Sequence, residues 1–347
     1  MLQKISIQKA LSLQNSKFID VRTPLEFEEG TIPGAINIPL LSNEERIEIG
    51  TLYKQKGPLQ ARARGLELVS PKFHKILNDV KASVIPVNAG IQKPVFFCWR
   101  GGLRSQTVAT VLDLAGLDVW VVEGGYKAYR KEVLDVLSRP LPFQFITLYG
   151  FTGSGKTELL QNLKKQGAPT IDLEALACHR GSAFGHVGIV KPQTQKQFEA
   201  LLYREVMGYQ NEKYVLIEGE SRRIGPVLLP EAFLNQMLRG KRILIQGSLP
   251  FRTQRILEEY FKTPQNIEQI KTATLAIQKR LGGVLFKNLM SFLETKDYQA
   301  FTSSILENYY DKNYKYSSDQ SLSFEDNLPI HSQNDLDQAV PYFLRMV

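Results

Sequence analysis

Cysteine is scarce in this sequence, and long apolar runs are missing. The 347 residues contain two cysteines, Cys98 and Cys178, which lie far apart, so a disulfide framework and a cysteine-rich zinc cluster are excluded. No segment approaches the roughly 18 to 20 consecutive apolar residues of a membrane-spanning helix. The first residues, MLQKISIQKALSLQ, lack the basic, apolar and small-residue pattern of a signal peptide. These absences predict a soluble, cytoplasmic protein that does not contact a membrane.

Length and composition are those of an ordinary globular protein. Hydrophobic residues make up 43% of the chain and charged residues 22%, values that exclude disordered and collagen-like chains. Because 347 residues exceed the usual length of one domain by about twofold or more, two domains are predicted.

Positive charge outweighs negative charge, and the excess is concentrated in two blocks. The chain has 43 Lys and Arg against 35 Asp and Glu. Residues 51–104 hold ten basic and two acidic residues, and residues 239–288 hold ten basic and three acidic residues. Such blocks suit a polyanion such as nucleic acid, which gains from counterion release at each phosphate contact. A solvated surface gives the same pattern, and charge alone leaves both interpretations open.

Short apolar runs alternate with helical patterns along the chain. The runs typical of buried strands are KFIDV (17–21), GAINIPL (34–40), PVFFCW (94–99) and VWVVEGG (119–125). A helical pattern, SQTVATVLDLAG (105–116), separates the last two. Alternating strands and helices predict an α/β fold with parallel sheets.

Two prolines in SRPLP (138–142) interrupt helical continuation, and a new apolar strand, FQFITLYG (143–150), follows directly. We place the domain boundary there, with a first domain over 1–140 and a second over 141–347. The second domain repeats the α/β pattern, and its C-terminal region is predicted to be mostly helical.

A candidate nucleophile follows the predicted strand 94–99. In FFCWRGGLRSQ, Cys98 ends the strand, and Gly101 and Gly102 precede a helix. The loop N–H groups, the helix N-terminus and the guanidinium groups of Arg100 and Arg104 all favour a thiolate over a thiol. We therefore predict that Cys98 is a nucleophile or a carrier of an anionic group, with Arg100, Gly101, Gly102 and Arg104 as its anion-binding loop.

The second domain opens with a phosphate-binding pattern. GFTGSGKT (150–157) fits G-x-x-x-x-G-K-[ST] directly after an apolar strand and before a helical segment. Glycines let successive N–H groups point at one anion, the lysine reaches the outer phosphate, and the threonine hydroxyl can hold Mg²⁺. The predicted phosphate-binding residues are Gly150, Gly153, Ser154, Gly155, Lys156 and Thr157.

The acidic residue that usually accompanies such a loop is not an aspartate here. The apolar run YVLIEGE (214–220) ends on Glu218 and Glu220. Glu218 can substitute as a magnesium ligand or as a base, or it is an exposed acid at a strand end. The sequence leaves these interpretations open.

Residues 10–137 resemble the rhodanese (sulfurtransferase) domain. DVRTPLEFEEGTIPGAINIPL (20–40) is similar to the opening of that family, and CWRGGLRS falls at its active loop. The resemblance implies that Cys98 carries sulfur, or a heavier chalcogen, as a persulfide-type adduct. We assign Asp20 and Arg22 to the scaffold, because a carboxylate and a guanidinium beside a buried strand usually pair.

Most of the chain resembles the bacterial tRNA 2-selenouridine synthase family, which joins a rhodanese domain to a P-loop domain. Besides the two loops, the motifs that carry this resemblance are NEERIEIGTLYKQKG (43–57), GGYKAYR (124–130), HRGSAFG (179–185), IEGESRRIG (217–225), RLGG (280–283) and ENYYDKNY (307–314). They extend over most of residues 10–316.

The resemblance implies an activity that replaces the 2-thio sulfur of the wobble uridine of tRNA with selenium from selenophosphate. The implied route passes through an S-geranylated intermediate made from geranyl diphosphate, whose pyrophosphate suits the phosphate loop. The implied partner is a tRNA whose anticodon loop carries 2-thiouridine, and the co-substrates are selenophosphate and geranyl diphosphate, with no tightly bound cofactor. The alternative is a P-loop ATPase or kinase with a rhodanese sensor module.

The resemblance also singles out residues of the second domain. His179, Arg180 and Ser182 match a family motif, which implies that Arg180 grips phosphate and that His179 is either an acid/base or a structural histidine. Arg222 and Arg223 can reach the diphosphate or the tRNA.

Basic and aromatic residues are candidates for contact with the tRNA itself. Cys178 has no glycine loop beside it, so we assign it to packing. The residues predicted to contact the tRNA backbone are Lys54, Lys56, Arg62 and Arg64. The tyrosines that either stack on unpaired bases or pack in a core are Tyr309, Tyr310, Tyr314 and Tyr316.

Overall fold

A computed structural model describes residues 2–84, 86–87, 90–313 and 323–347. The chain folds into two compact units. The first contains the residues up to Val136 together with Glu199–Leu201, and the second contains Leu137–Phe198 and Leu202–Val347. The predicted α/β class is confirmed, since parallel sheets and helices make up both units. None of the helices in the described ranges is both long and apolar enough to cross a bilayer.

The first unit is built around a parallel sheet. In chain order its elements are β1 (Gln3–Ile5), α1 (Ile7–Ser12), β2 (Ser16–Asp20), α2 (Pro24–Glu29), β3 (Ile36–Asn37), α3 (Asn43–Lys56), α4 (Pro58–Val69), α5 (Phe73–Ser83), β4 (Pro86–Val87), β5 (Gly90–Ile91), β6 (Lys93–Phe97), α6 (Leu103–Leu114), β7 (Trp120–Val122) and α7 (Gly125–Leu137). The sheet order is β1-β7-β6-β2-β3, and every pairing in it is parallel.

The sheet places the loops after β2, β6 and β7 at one edge, because parallel strands end on the same side. Strand β6 is buried from Pro94 to Phe97, which explains its uninterrupted apolar sequence. The strand predicted over 34–40 is much shorter than expected. Only Ile36–Asn37 pairs with β2, because Gly34 adopts a positive φ before it and Pro39 lacks the N–H that a ladder needs.

Asp20 and Arg22 form the buried scaffold pair that the sequence predicts. Arg22 Nη2 lies 2.5 Å from Asp20 Oδ2, and both side chains are almost completely buried. Arg22 also donates to the Gly30 carbonyl at 2.7 Å, and Thr31 Oγ1 donates to Asp20 Oδ2 at 2.9 Å. The pair therefore ties the segment that follows β2 to the end of α2.

Because this ion pair is buried, removing one charge leaves the other without a counterion. We expect Asp20→Asn to lower the free energy of unfolding by about 3–5 kcal/mol. The measurement is the urea midpoint of the full chain. A matched control is Lys131→Ala, which breaks an exposed i,i+4 pair with Asp135 and should change stability by less than about 1 kcal/mol. Equal effects of the two substitutions would contradict the structural role assigned to Asp20.

The second unit contains the predicted phosphate loop on a second parallel sheet. In chain order its elements are β8 (Gln144–Tyr149), α8 (Lys156–Lys165), β9 (Thr170–Ile171), α9 (Leu173–Ala177), α10 (Gln195–Gly208), β10 (Tyr214–Glu218), β11 (Arg223–Ile224), β12 (Val227–Leu228), α11 (Glu231–Arg239), β13 (Lys241–Gly247), α12 (Leu249–Tyr260), α13 (Pro264–Ala276), α14 (Gln278–Leu281), α15 (Gly283–Glu294), α16 (Tyr298–Ile305), a π-helical turn (Leu306–Tyr310), α17 (Asp311–Asn313), β14 (Asp326–Ile330) and α18 (Gln333–Leu344). The sheet order is β14-β13-β8-β10-β9, again entirely parallel.

The C-terminal region combines the predicted helices with a strand that the sequence does not indicate. Helices α12 to α16 pack around an apolar core of their own. Beyond them, β14 pairs with β13 at the edge of the sheet, and α18 packs on α8. The strand DNLPI was missed because Pro329 and the polar residues before it do not resemble a sheet strand, and only an edge position tolerates them.

Candidate functional site

The phosphate loop connects the central strand β8 to helix α8. Residues 150–157 span this connection, and α8 begins at Lys156. Lys156 Nζ donates to the Gly150 carbonyl at 2.7 Å, so the ammonium group folds back over the loop. Ser154 is completely buried in it. The predicted residues therefore come together in the strand–loop–helix arrangement of a phosphate cradle.

A cleft of about 990 Å³ opens at the phosphate loop. Its walls include residues 152–157, Glu174 and His179 from the chain after β9, Glu220 after β10, and Arg255 on α12. Ligand sites of about 300–1,000 Å³ accommodate molecules of drug size. The cleft therefore has room for a diphosphate together with a nucleobase.

Three glutamates cluster at the base of the cleft. The Thr157 hydroxyl donates to Glu174 Oε2 at 3.4 Å, and the Glu174 N–H donates to Glu218 Oε1 at 2.8 Å. Glu218 is 1% exposed, and within the described chain its Oε2 has no hydrogen-bond partner. Of the two interpretations left open for Glu218, the exposed acid at a strand end is wrong.

Burial raises the pKa of all three carboxyl groups, and the charge of neighbouring carboxylates adds to the shift at Glu174 and Glu218. Burial, followed by the charge of Glu220, raises the pKa of Glu174 to about 8. Burial also raises the pKa of Glu218 well above its ordinary value, and the neighbouring Glu174 adds to the shift. The pKa of Glu220 is raised by burial against the opposing charge of Lys156. With its pKa at about 8, Glu174 can donate or accept a proton near neutral pH, which an isolated glutamate does not do.

Glu174 is a cleft residue that sequence reasoning missed. It lies in the short helix α9, immediately after β9, a strand of only two residues. The signal was present in TIDLEAL, because acidic residues just after a parallel strand lie at the edge where ligands bind.

His179 is fixed at the cleft wall by close packing. Its Nδ1 accepts the N–H of Gly181 at 3.1 Å, which leaves Nε2 to carry the proton of the neutral ring. A Cβ at Gly225 would lie 2.4 Å from the ring, and one at Gly185 would lie 2.6 Å from it, so the imidazole lies between two glycines. Burial, with smaller contributions from His186 and Arg180, lowers the pKa of His179. The ring is therefore neutral and oriented, as an acid/base or a hydrogen-bonding group requires.

Arg180 does not hold its guanidinium ready for a phosphate. Its Nε lies 2.7 Å from Glu259 Oε1, its Nη1 donates to the Val187 carbonyl at 2.8 Å, and its guanidinium lies over the Tyr260 ring. Glu259 and Tyr260 lie far along the chain, so local sequence reasoning could not identify them as partners of Arg180. Arg180 therefore stabilises the wall of the cleft through these contacts.

Ser182 lines the cleft, whereas Arg222 does not. The Ser182 hydroxyl oxygen accepts the N–H of Phe184 at 3.2 Å, which fixes the turn beside the cleft. Arg222 and Arg223 are exposed at the start of β11, outside the cleft lining.

Cys178 accepts a hydrogen bond from Gln193 Nε2 at 3.5 Å, and its backbone adopts a positive φ of 47°.

The Cys98 loop follows β6 in the first unit. Cys98 is 4% exposed, and Ser105 Oγ lies 3.3 Å from its Sγ. The Tyr126 N–H donates to the Cys98 carbonyl at 2.8 Å, which holds the start of the loop against α7. Gly101 has a φ of +62°, and a Cβ there would lie 2.3 Å from the Val122 carbonyl. Only glycine fits at that position, so the loop conformation is encoded by its sequence.

The two predicted arginine charges at this loop are not equivalent. Arg104 makes a two-pronged ion pair with Glu26, with contacts of 2.5 and 3.1 Å, so its charge is already compensated. Burial alone would raise the pKa of Glu26, but the hydrogen bond and charge of Arg104 hold it below its usual value. Arg100 is exposed. Gly102 precedes α6, and Ser105, which the sequence analysis did not single out, provides the hydroxyl next to sulfur.

The candidate tRNA residues occupy the α3–α4 hairpin. Lys54, Lys56 and Arg62 are exposed there. Arg64 instead pairs with two carboxylates, Glu48 at 2.6 Å and Glu67 at 3.0 Å. The basic surface suited to a phosphate backbone is therefore smaller than the sequence suggests.

Of the candidate stacking tyrosines, two can be placed. Tyr309 and Tyr310 lie in the π-helical turn and pack against the helical core, and Tyr310 also lines the cleft. Tyr314 and Tyr316 lie outside the described residues.

Comparisons with solved structures find several similar proteins, all at low TM-scores. The N-terminal domain of a Clostridium difficile 630 protein, named as an ATP/GTP-binding protein, is 41% identical over 39% of this chain and 99% of its own, with a TM-score of 0.34. TT1252 from Thermus thermophilus is 18% identical over 60% of this chain and 99% of its own, with a TM-score of 0.27. Shikimate kinase from Bacteroides thetaiotaomicron is 16% identical over 58% of this chain and 97% of its own, with a TM-score of 0.24.

Two family matches follow one another along the chain. Residues 6–132 match the rhodanese-like domain, and residues 143–325 match the tRNA 2-selenouridine synthase AAA domain. The second match covers more than half of the chain, and the order of the two is the one that the sequence motifs predict. On these matches the chain belongs to the tRNA 2-selenouridine synthase family, and its architecture is that of a tRNA-modifying enzyme.

Proposed function

We propose that this enzyme replaces the sulfur of 2-thiouridine at the wobble position of tRNA with selenium from selenophosphate, through an S-geranyl intermediate formed from geranyl diphosphate. The observation that carries the proposal is the cleft at the phosphate loop. It combines a diphosphate cradle with glutamates of raised pKa and a neutral histidine in a space large enough for a base. A simple phosphate site needs no such set of proton carriers.

In the first step, the thiocarbonyl sulfur attacks the allylic carbon of geranyl diphosphate. A carbon–sulfur bond forms, the carbon–oxygen bond breaks, and pyrophosphate leaves with the bonding electrons. The loop N–H groups and Lys156 stabilise the charge that develops on the leaving group. The uridine loses its N3 proton, for which His179 and Glu220 are the candidate acceptors at the cleft wall.

In the second step, selenium at the selenide level attacks C2 and the S-geranyl group departs as geranyl thiol. Alkylation makes this possible, because a neutral thiol leaves far more readily than sulfide. The phosphoryl group of selenophosphate ends on water, so the sequence of steps needs no oxidant or reductant. Cys98 is the candidate nucleophile of selenium delivery: attack of its sulfur on the phosphorus of selenophosphate breaks the phosphorus–selenium bond and releases selenide, and water then hydrolyses the S-phosphocysteine. Arg100 and the loop amides are the candidate anion site.

Magnesium fits the phosphate loop. The Thr157 hydroxyl and a Glu174 carboxylate oxygen lie 3.4 Å apart, and both are oxygen donors of the type that Mg²⁺ prefers. Among the described residues no group of three or more His, Cys, Asp and Glu forms a self-sufficient metal site. Bound Mg²⁺ would therefore rest on Thr157, on Glu174 once its carboxyl group has released its proton, and on the diphosphate, and would neutralise charge on the leaving group.

Mass spectrometry of tRNA nucleosides tests the proposal. Purified full-length protein, 2-thiouridine tRNA and geranyl diphosphate should give S-geranyl-2-thiouridine, and added selenophosphate should convert it to 2-selenouridine. A P-loop ATPase or kinase would instead turn over ATP without tRNA and leave the nucleosides unchanged. That result would overturn the proposed function.

A further inference from the structure

An apolar pocket lies beside the phosphate cleft in the helical part of the second unit. Its walls come mainly from α12, α13, α16 and the π-helical turn. Phe184 packs edge-on against Phe301, with ring centroids 6.4 Å apart, and Phe261 packs edge-on against Phe301 at 6.0 Å. Phe301 is 3% exposed. These rings form the buried side of the pocket.

The pocket and the cleft share part of their lining. Thr152 of the phosphate loop borders both spaces, as do Ser182, Ile256, Tyr260 and Tyr310. Ile256 lies against the loop as well, since a Cβ at Gly153 would be 3.2 Å from its Cγ1. A molecule whose anionic end occupies the loop can therefore extend directly into an apolar environment.

The chemistry of the walls favours hydrocarbon over a nucleotide base. Most residues around the pocket are Phe, Ile and Leu, and the exposed lining is almost entirely apolar. A purine has ring nitrogens and an amino group, and because little of the hydroxyl-bearing lining is exposed in the pocket, most of these groups would lose hydrogen bonds to water without gaining partners, which is costly. A branched hydrocarbon chain loses nothing and gains from leaving water.

On the proposed function, we infer that this pocket binds the far end of the prenyl chain of an allylic diphosphate and sets the chain length that the enzyme accepts. The pocket holds about 30 Å³ of space, enough for about two water molecules. It therefore takes the two terminal methyl groups of a chain, while the rest lies over Ile256 and Tyr260 in the cleft. A chain one isoprene unit longer than geranyl meets the Phe301 ring.

Competition between diphosphates of different chain length tests the inference. Full-length protein, 2-thiouridine tRNA and an equimolar mixture of dimethylallyl, geranyl and farnesyl diphosphates are combined, and the alkylated nucleosides are quantified by mass spectrometry. Phe301→Leu deepens the pocket, so the farnesyl-to-geranyl product ratio should rise about tenfold or more. Ile256→Phe narrows the entrance, so the geranyl-to-dimethylallyl ratio should fall by a similar factor.

The matched control is Phe292→Leu, which makes the same change in the same helical core but outside the pocket lining. It should leave both product ratios at the wild-type values. If wild type transfers geranyl but both pocket variants keep its ratios, the inference is overturned and the proposed function stands. If wild type transfers no prenyl group of any length, the proposed function fails and the inference fails with it. If Phe301→Leu does not fold, the geranyl-to-dimethylallyl product ratio of Ile256→Phe tests the inference by itself. A general loss of activity lowers both products equally and leaves this ratio unchanged.

Discussion

Replacing Cys98 by serine is expected to abolish 2-selenouridine while S-geranyl-2-thiouridine accumulates. A serine hydroxyl is a much weaker nucleophile than a cysteine sulfur, so the selenium step should slow at least about 1,000-fold. The alkylation step uses the phosphate loop of the other unit and should continue. Both nucleosides are quantified in one digest of the reacted tRNA.

The persisting S-geranyl product is the internal control for a correctly folded variant. Serine differs from cysteine by one atom, and the sulfur is buried beside Ser105, so the surrounding loop should keep its shape. Simultaneous loss of both products would argue against the division of labour between the two loops. Undiminished selenium incorporation would remove Cys98 from the reaction altogether.

Replacing Lys156 by alanine is expected to stop the chemistry one step earlier. Lys156 is the charged side chain of the phosphate loop, and it lies over the loop at the Gly150 carbonyl. Without it, the departing pyrophosphate loses the positive charge that the loop itself supplies, and geranyl transfer should fall about 100- to 1,000-fold. Neither the S-geranyl nucleoside nor 2-selenouridine should form when 2-thiouridine tRNA is supplied.

Two comparisons make the Lys156→Ala result specific. Lys164→Ala removes a lysine from the same helix, where it forms a partly exposed pair with Glu205, and should leave geranyl transfer intact. Supplying tRNA that already carries the S-geranyl group bypasses the blocked step, so Lys156→Ala should then incorporate selenium. Unimpaired geranyl transfer in Lys156→Ala would refute the assignment of the diphosphate to this loop.

The parts of the site that sequence predicts are those encoded within a few neighbouring residues. Both loops follow buried strands and precede helices, and their glycines permit the required curvature without help from distant residues. The buried pair of Asp20 and Arg22 belongs to the same class, because the two residues are separated by one position. Strand, loop and helix signals were therefore sufficient at these places.

The parts that sequence misjudges depend on partners far along the chain. The sequence shows no partner for Arg104, but in the fold Glu26, 78 residues away, forms an ion pair with it. Arg180 is held in the same way by Glu259. Glu174 was missed because it approaches Glu218 only when β9 and β10 pair. Ion pairs and carboxylate clusters of this kind form only when the chain folds, so the spacing of residues in the sequence does not predict them.

The position of β14 has a practical consequence for shortening this protein. Asp326–Ile330 covers the outer side of β13, whose main-chain groups would otherwise form an unpaired sheet border. Removing the segment that follows the helical core would uncover a seven-residue template for intermolecular pairing next to the phosphate cradle. The solubility of the P-loop unit thus depends on Asp326–Ile330, a segment whose sequence does not predict a strand.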